Sequence, residues 1–424
     1  MNRCLQILLF LIQMQLFARN YSLRECVVYA LENNSTIKVS TLNNAVAQGK
    51  IDEQIGTVLP QVSASGGIED ALQKINNSTN DYCTISGTAS LQQKIYDPGF
   101  VAGLKAAKIS KTQSVLELEK AKEQTAYAVC RQYYQTLVFH KQEQVLSRIA
   151  NGTKATLDAT QSNFEHGSVK KVDVDKIRIN YNNNLSRLRQ TNLNYEQSIN
   201  KLKYQIGLPA DSTLVLADTL LFDSLNVDSV SGIFVDNSID YQILKTTERL
   251  QNSIKEIYAA GYLPSLSLSA KYMYSSTPDN LTFNDRWNQN GSIGINLTIP
   301  IFDGFQKRAK ISQVSNEIAK AKENLASEEQ LITVTISNYK KQYEIASGNL
   351  ENEKDNLTLS EAVYQNTLIS FQQGAESSLE LLQAESSMQE AQNNYFATLL
   401  SYYNAYLDHA QSRGVLMDYV ASLK

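Results

Sequence analysis

The chain repeats itself. Phe164-Glu165-His166-Gly167 and Phe371-Gln372-Gln373-Gly374 stand 207 positions apart, and Asp173 with Glu380, Tyr195 with Tyr402 and Gly207 with Gly414 keep that offset. Tyr96-Asp97 matches Phe302-Asp303 at 206, and Leu59-Pro60 matches Leu263-Pro264 at 204. So small a drift fits short loop insertions and deletions, and the chain reads as two copies of one structural unit of about 200 residues. Any fold assigned to it has to be built twice.

Each copy carries a pair of strands. Leu266, Leu268, Ala270, Tyr272 and Tyr274 alternate with Ser265, Ser267, Ser269 and Lys271. After a polar loop, Ile293, Ile295, Leu297 and Ile299 alternate with Gly294, Asn296 and Thr298. The first copy answers with Ile85, Gly87, Ala89 and Leu91 against Thr84, Ser86, Thr88, Ser90 and Gln92, preceded by a weaker strand from Gln61 to Ile68. A period of two places one set on an apolar face and the other on a polar face. At about ten residues each, the strands match the length a tilted strand needs to cross a bilayer. No other alternating stretch is evident.

The remainder follows the helical period. Ile311, Val314, Ile318, Ala321 and Leu325 step by three and four, and Ile332, Ile336, Tyr339, Tyr343, Ala346 and Leu350 continue the seam. In the first copy Ile177, Tyr181, Leu185 and Leu188 lead through Asn192 to Tyr195, Ile199, Leu202 and Ile206. Such seams predict coiled-coil packing. The chain has six prolines, where roughly twenty would be average for this length. Pro60, Pro98, Pro264 and Pro300 fall at helix–strand junctions, Pro209 follows a helix end and Pro278 lies in a strand-connecting loop. Uninterrupted helices of roughly 65 residues, about 100 Å long, are therefore expected between Gly99 and Phe164 and between Gly304 and Phe371.

Strand count then constrains assembly. Four membrane-type strands leave two open edges, and each unpaired backbone group in hydrocarbon costs several kcal/mol. Closed membrane barrels start at about eight strands, so one chain cannot seal a cylinder. Two chains would supply eight strands with a filled interior, and three would supply twelve with room for a pore. The Ser, Thr, Asn and Gln of the polar face favour the water-filled, trimeric solution. The expected fold is mainly α with a membrane β-barrel: long antiparallel coiled-coil helices in a trimeric α-barrel, and four strands per chain in a shared barrel of twelve.

Other features narrow the function. Arg3 and the apolar stretch Leu5 to Phe17 resemble a targeting segment ending near Ala18. The expected boundaries are that segment over 1–18, a first copy over 19–207 with its strand pair within 60–96 and tip near 164–168, an irregular connector over 208–236, and a second copy over 237–424 with its strand pair within 264–300 and tip near 371–375. Beyond Cys4, the three cysteines Cys26, Cys83 and Cys130 cannot all pair within the chain and form no C-x-x-C, so they read as small apolar side chains. His140, His166 and His409 are too scattered for a multi-histidine metal site. A net charge of −4 argues against nucleic acid as a partner. No G-x-S-x-G, H-E-x-x-H or phosphate-cradling loop occurs, so neither an enzyme nor a cofactor is expected. The competing reading is a periplasmic coiled-coil adaptor or scaffold without a pore, and the strand pairs weigh against it.

The twofold repeat, the strand pairs flanked by helices and the F-x-x-G turns resemble the TolC-type outer membrane efflux protein family. The opening Ser22-Leu23-Arg24-Glu25-Cys26-Val27-Val28-Tyr29-Ala30-Leu31-Glu32-Asn33-Asn34 is similar to the family's usual start. So is Phe371-Gln372-Gln373-Gly374-Ala375-Glu376-Ser377-Ser378-Leu379-Glu380-Leu381-Leu382-Gln383-Ala384-Glu385 at the second tip. The resemblance implies a homotrimer in the outer membrane that extends through the periplasm. It implies docking on a periplasmic adaptor and an inner membrane transporter, and service as a passive exit duct for efflux or type I secretion. By the same resemblance Glu380, with its counterpart Asp173, falls at a periplasmic aperture. Phe164, Gly167, Phe371 and Gly374 fall at the helix tips that meet the adaptor. Gln383 stands where some members carry a second acid. The lipid-facing set expected from the alternation is Ile85, Leu91, Leu266, Leu268, Ile293, Ile295 and Leu297.

Overall fold

The computed structural model describes residues 20–70, 83–218, 235–276 and 287–423. The expected targeting segment and Pro278 lie outside these residues. In chain order the elements are β1 (Asn20–Tyr21), α1 (Leu23–Asn33), α2 (Ser35–Gly56), β2 (Gln61–Asp70), β3 (Cys83–Tyr96), α3 (Pro98–Glu165), α4 (Lys171–Ile206) and β4 (Val215–Leu216). A short 3-10 turn (Val235–Asn237) leads into α5 (Ile239–Ala260), β5 (Ser265–Ser276), β6 (Asn288–Thr298), α6 (Gln306–Gln372), α7 (Ser378–Ser412) and α8 (Leu416–Ser422). Helices α3 and α6 run 68 and 67 residues, each about 100 Å at 1.5 Å per residue. Pro98 opens α3, the one helical position where a missing N–H costs nothing.

Two features depart from the sequence expectation. The connector is not wholly irregular: its Val215 and Leu216 pair in parallel with Asn20 and Tyr21. Two-residue strands are too short to show alternation. The helix before the first strand pair is also broken at Asn34, whose backbone is extended at φ −62°, ψ 133°. The Asn34 side chain donates to the Gln205 carbonyl at 2.6 Å and accepts from Thr36 N–H at 2.8 Å. A local hydrogen bond of this kind offers the backbone an alternative to the helix.

The chain divides into two compact units that do not follow the repeat. One comprises Met1–Thr41, Leu118–Tyr241 and Glu328–Lys424; the other comprises Leu42–Glu117 and Gln242–Ser327. The first unit holds the main core. Leu23, Cys26, Val27 and Ala30 of α1 pack with Val129, Cys130 and Tyr133 of α3, Leu202 and Ile206 of α4, Leu350 of α6, Leu407 and Ala410 of α7, and Leu416 of α8. Cys26 and Cys130 are free and buried in it. The start of α1 is fixed by a capping box: Ser22 Oγ accepts from Glu25 N–H at 3.2 Å, and Glu25 Oε2 accepts from Ser22 N–H at 2.9 Å. Tyr133 Oη donates to Asp218 Oδ2 at 2.8 Å, and Leu23 N–H donates to the same oxygen at 2.8 Å. The connector is thereby anchored to the core at Asp218.

The second unit carries the sheet, in the order β2-β3-β5-β6, all antiparallel. Beside it, Lys105 Nζ meets both carboxylate oxygens of Glu256 at 2.8 and 2.9 Å, and Ser114 Oγ donates to Asn44 Oδ1 at 3.3 Å. These links tie α3 to α5 and α2.

Candidate functional site

Register decides which residues share a face of the sheet. Val62, Leu91, Ala270 and Ile293 form one cross-strand row, and Ile68, Ile85 and Ser276 form another. Leu268 opposes Ile295, and Leu266 opposes Leu297. Since directly opposed residues project to the same side, all seven residues of the expected lipid-facing set share one face. A bulge between Lys94 and Tyr96 returns Tyr96 to the row of Leu266. On edge strand β6, Ile293, Ile295 and Leu297 are 82%, 68% and 61% exposed. Leu91, Leu266 and Leu268, on strands flanked by neighbours on both sides, are half-buried, and Ile85 is buried.

The opposite face is built from Ser63, Ser65, Ser86, Thr88, Ser90, Gln92, Ser267, Ser269, Asn290, Ser292 and Asn296. Ser63 and Ser90 hydroxyls lie 2.8 Å apart, and Asn296 Nδ2 donates to Ser269 Oγ at 2.9 Å. Within this sheet β2 and β6 have no outer neighbour. The 11 residues of β6 span about 37 Å along the strand, or about 28 Å vertically at a tilt near 40°. That height matches the apolar band of about 25 Å on a membrane barrel.

Aromatic rings mark both ends of the sheet, a feature the sequence reading passed over. Tyr274 stacks on Trp287 at 5.0 Å at one end. At the other, Phe302 and Phe305 meet edge to face at 5.4 Å and are 75% and 64% exposed beside Ile301 at 94%. Large apolar side chains left uncovered in one chain mark a surface that lipid or a neighbouring copy covers, and aromatic girdles at both interfaces are a membrane signature. Among the described residues no helix is long and apolar enough to cross a membrane.

The helix tips explain the repeated glycines. Gly167 and Gly374 adopt φ of 77° and 75°. At the first tip Ser168 N–H bonds Asn163 O and Gly167 N–H bonds Phe164 O, both at 2.9 Å; at the second, Ala375 N–H bonds Ser370 O at 2.9 Å and Gly374 N–H bonds Phe371 O at 3.0 Å. These are paired Schellman closures, in which a left-handed residue ends the helix. Gly207 and Gly414, the other repeated glycines, show the same pattern at φ 80° and 70°. Alanine at Gly374 should cost about 1–2 kcal/mol, because a Cβ there is strained but meets nothing within 4 Å. Alanine at Gly207 should cost more, since its Cβ would also lie 2.8 Å from Asn33 O. Thermal unfolding of the two variants side by side checks this order.

The phenylalanines are not equivalent. Phe371 packs against Leu381, Ala384 and Met388 and against Leu157, Val174 and Ile177, linking the two hairpins, while Phe164 joins neither cluster.

Glu380 closes a capping box at the start of α7. Its Oε2 accepts from Ser377 N–H at 3.0 Å and from Ser377 Oγ at 2.9 Å, while its own N–H donates to Ser377 Oγ at 3.3 Å. The Ser377 N–H bond holds the Glu380 carboxyl below the usual range, and Glu376, hydrogen-bonded to Glu380, is pushed up. Asp173 sits in the first turn of α4 and accepts from Ser378 Oγ at 2.5 Å, so the two acids are brought to adjoining helix starts without bonding each other directly.

Deeper between the helices lies a polar cluster that the apolar seams did not reveal. Glu385 is 3% exposed and accepts from Asn184 Nδ2 at 2.7 Å, Asn180 Nδ2 at 2.8 Å, Gln389 Nε2 at 3.0 Å and Thr153 Oγ1 at 3.3 Å. Arg187 donates to Gln389 Oε1. One carboxylate thus joins α3, α4 and α7. The signal available in the sequence was Asn180 and Asn184 one helical turn apart, facing Glu385 and Gln389 at the same spacing.

Comparison with known proteins agrees with this architecture. The family described as outer membrane efflux protein matches residues 27–208 and 249–412. The alkaline protease secretion protein AprF of Pseudomonas aeruginosa is 22% identical over 351 residues, covering 79% of this chain and 71% of AprF. The CmeC outer membrane channel of Campylobacter jejuni superposes with a TM-score of 0.77 at 19% identity, over 93% of this chain and 85% of that one. The open-state MtrE outer membrane channel of Neisseria gonorrhoeae superposes at 0.73 and 16% identity, over 92% and 88%.

Proposed function

The chain belongs to the outer membrane efflux protein family, and from that membership we propose that three copies close their four-stranded sheets into one barrel of twelve strands and act as a passive exit duct. The observation that carries this reading is the sheet: apolar on one face, hydroxyl- and amide-lined on the other, with open edges on β2 and β6. Joining β6 of one copy to β2 of the next satisfies the edge groups that hydrocarbon leaves unpaired. The apolar face with Leu268 and Ile295 then meets lipid, and the serine face lines water. The long helices continue as a periplasmic conduit, and their tips with Phe164, Gly167, Phe371 and Gly374 meet a periplasmic adaptor and, through it, an inner membrane transporter. The likeness to AprF, a protease secretion protein, supports type I secretion as one setting; the efflux family supports small-molecule export as the other.

Reconstitution tests the duct. Purified protein should run as a heat-sensitive trimer in detergent and give discrete conductance steps in planar bilayers; monomers without conductance would defeat the reading. Threefold symmetry also turns Glu380 into three carboxylates, which favour cations. The capping bonds that lower its pKa keep it charged at neutral pH. Glu380→Gln should therefore shift the reversal potential in a salt gradient toward anions, and an unmoved potential removes Glu380 from the conduction path.

A further inference from the structure

The middle rows of the sheet's polar face carry one charged side chain. In the cross-strand row Ser63–Ser90–Lys271–Ser292, three positions carry a short hydroxyl and the fourth a lysine. The rows on either side are Ser65–Thr88–Met273–Asn290 and Gln61–Gln92–Ser269–Gly294, neither of which holds a charge. Lys271 is exposed. Two other charged side chains on this face stand apart from it. Lys94 is neutralised by Asp97, Nζ to Oδ2 2.7 Å, and Glu69 lies six residues along β2 from Ser63, about 20 Å away. Among the described residues no acid pairs with Lys271. The lysine breaks the Ser-x-Ser-x-Ser alternation of β5 at mid-sheet, where a structural account has no use for it.

We propose that Lys271 forms a threefold cationic ring inside the barrel that makes this stretch of the duct prefer anionic solutes. The inference rests on the trimeric duct proposed above. A twelve-stranded barrel with strands 4.8 Å apart and tilted near 40° has a backbone radius of about 12 Å. An extended lysine reaches about 6 Å inward, so the three ammonium groups stand about 6 Å from the axis and about 10 Å from one another. That separation is about one Debye length at 0.1 M salt, so their fields add on the axis instead of being screened apart. Three unit charges at that distance, partly screened, raise the local anion concentration about fivefold. Basic rings select anions in pores as acidic rings select cations. The surrounding serines strengthen the effect, since they are too short to shield the ammonium groups and carry no countercharge. The solute class recognised is one bearing carboxylate, phosphate or sulfate groups.

The test is reversal potential under a potassium chloride gradient across planar bilayers, with the full chain and its Lys271→Arg, Lys271→Gln and Lys271→Glu variants. Arginine should behave as the parent, glutamine should move the permeability ratio toward potassium several-fold, and glutamate should move it further. The shift is opposite in sign to that expected for Glu380→Gln, so general damage to the channel cannot imitate it. Trimer formation in detergent is scored on each variant first. Parental protein that neither trimerises nor conducts overturns the duct and the ring together. Conducting trimers whose reversal potentials coincide across parent, glutamine and glutamate overturn the ring alone.

Discussion

Glu385→Ala is expected to loosen the joint between α3, α4 and α7 by about 2–4 kcal/mol, the cost of taking a shared acceptor from several buried neutral donors. The carboxylate is the shared acceptor for Asn180, Asn184, Gln389 and Thr153. Its removal takes the acceptor from Asn180 and leaves Asn184, Gln389 and Thr153 with one acceptor each, Thr153 Oγ1, Asn184 Oδ1 and Ile149 O. Asn184 is 0% exposed, so water does not replace the lost carboxylate without reopening the packing. Each stranded polar group costs about 1–3 kcal/mol. Glu385→Gln should cost less, since it keeps the shape and one acceptor oxygen. Its amide would nevertheless point N–H groups at donors. Thermal unfolding of the detergent-solubilised protein, with proteolysis of α7 as a local readout, should rank parent above glutamine above alanine. Alanine within about 1 kcal/mol of the parent would mean that the cluster does not hold the three helices.

The sequence conveyed the architecture through backbone demands. Alternation in Ser265–Ser276 and the period of three and four in α6 are each imposed by geometry over many residues, so strands and long helices were legible. The repeated glycines were legible for the same reason: a left-handed helix end selects glycine whatever surrounds it. The Glu385 cluster was not, because a search for apolar seams passes over Asn180, Asn184 and Gln389 as a solvated face; only the packing of a third helix buries them. β1 and β4 were too short to carry a period. Glu380 shows a different limit. Ser377-x-x-Glu380 is a readable capping box, yet its position beyond the tip drew attention to a role in the aperture. The two roles are compatible, since the carboxylate that caps α7 is exposed and held charged.

A charge on the apolar face of the sheet should be more damaging still. Leu268→Arg and Ile295→Arg each place a guanidinium in one opposed pair, Leu268 with Ile295, on the apolar face of β5 and β6 one apolar row from the central pair Ala270 and Ile293. An arginine costs about 2–4 kcal/mol at the bilayer midplane and about 0–1 kcal/mol at the interfaces, hence about 1–3 kcal/mol per site at this depth. A trimer carries three copies, so the assembled barrel would lose about 3–9 kcal/mol, comparable to the whole stability of an ordinary domain. Ser267→Arg, one residue along β5 on the opposite face, serves as the control: the same side chain in a water-filled lumen has no such cost and should leave assembly intact. The comparison is read as the fraction of membrane-extracted protein that migrates as trimer before heating. Loss of the trimer in both apolar-face variants with retention in Ser267→Arg assigns the faces, because the three substitutions differ mainly in the side of the sheet they occupy. Equal assembly in all three would mean that the apolar face does not meet hydrocarbon.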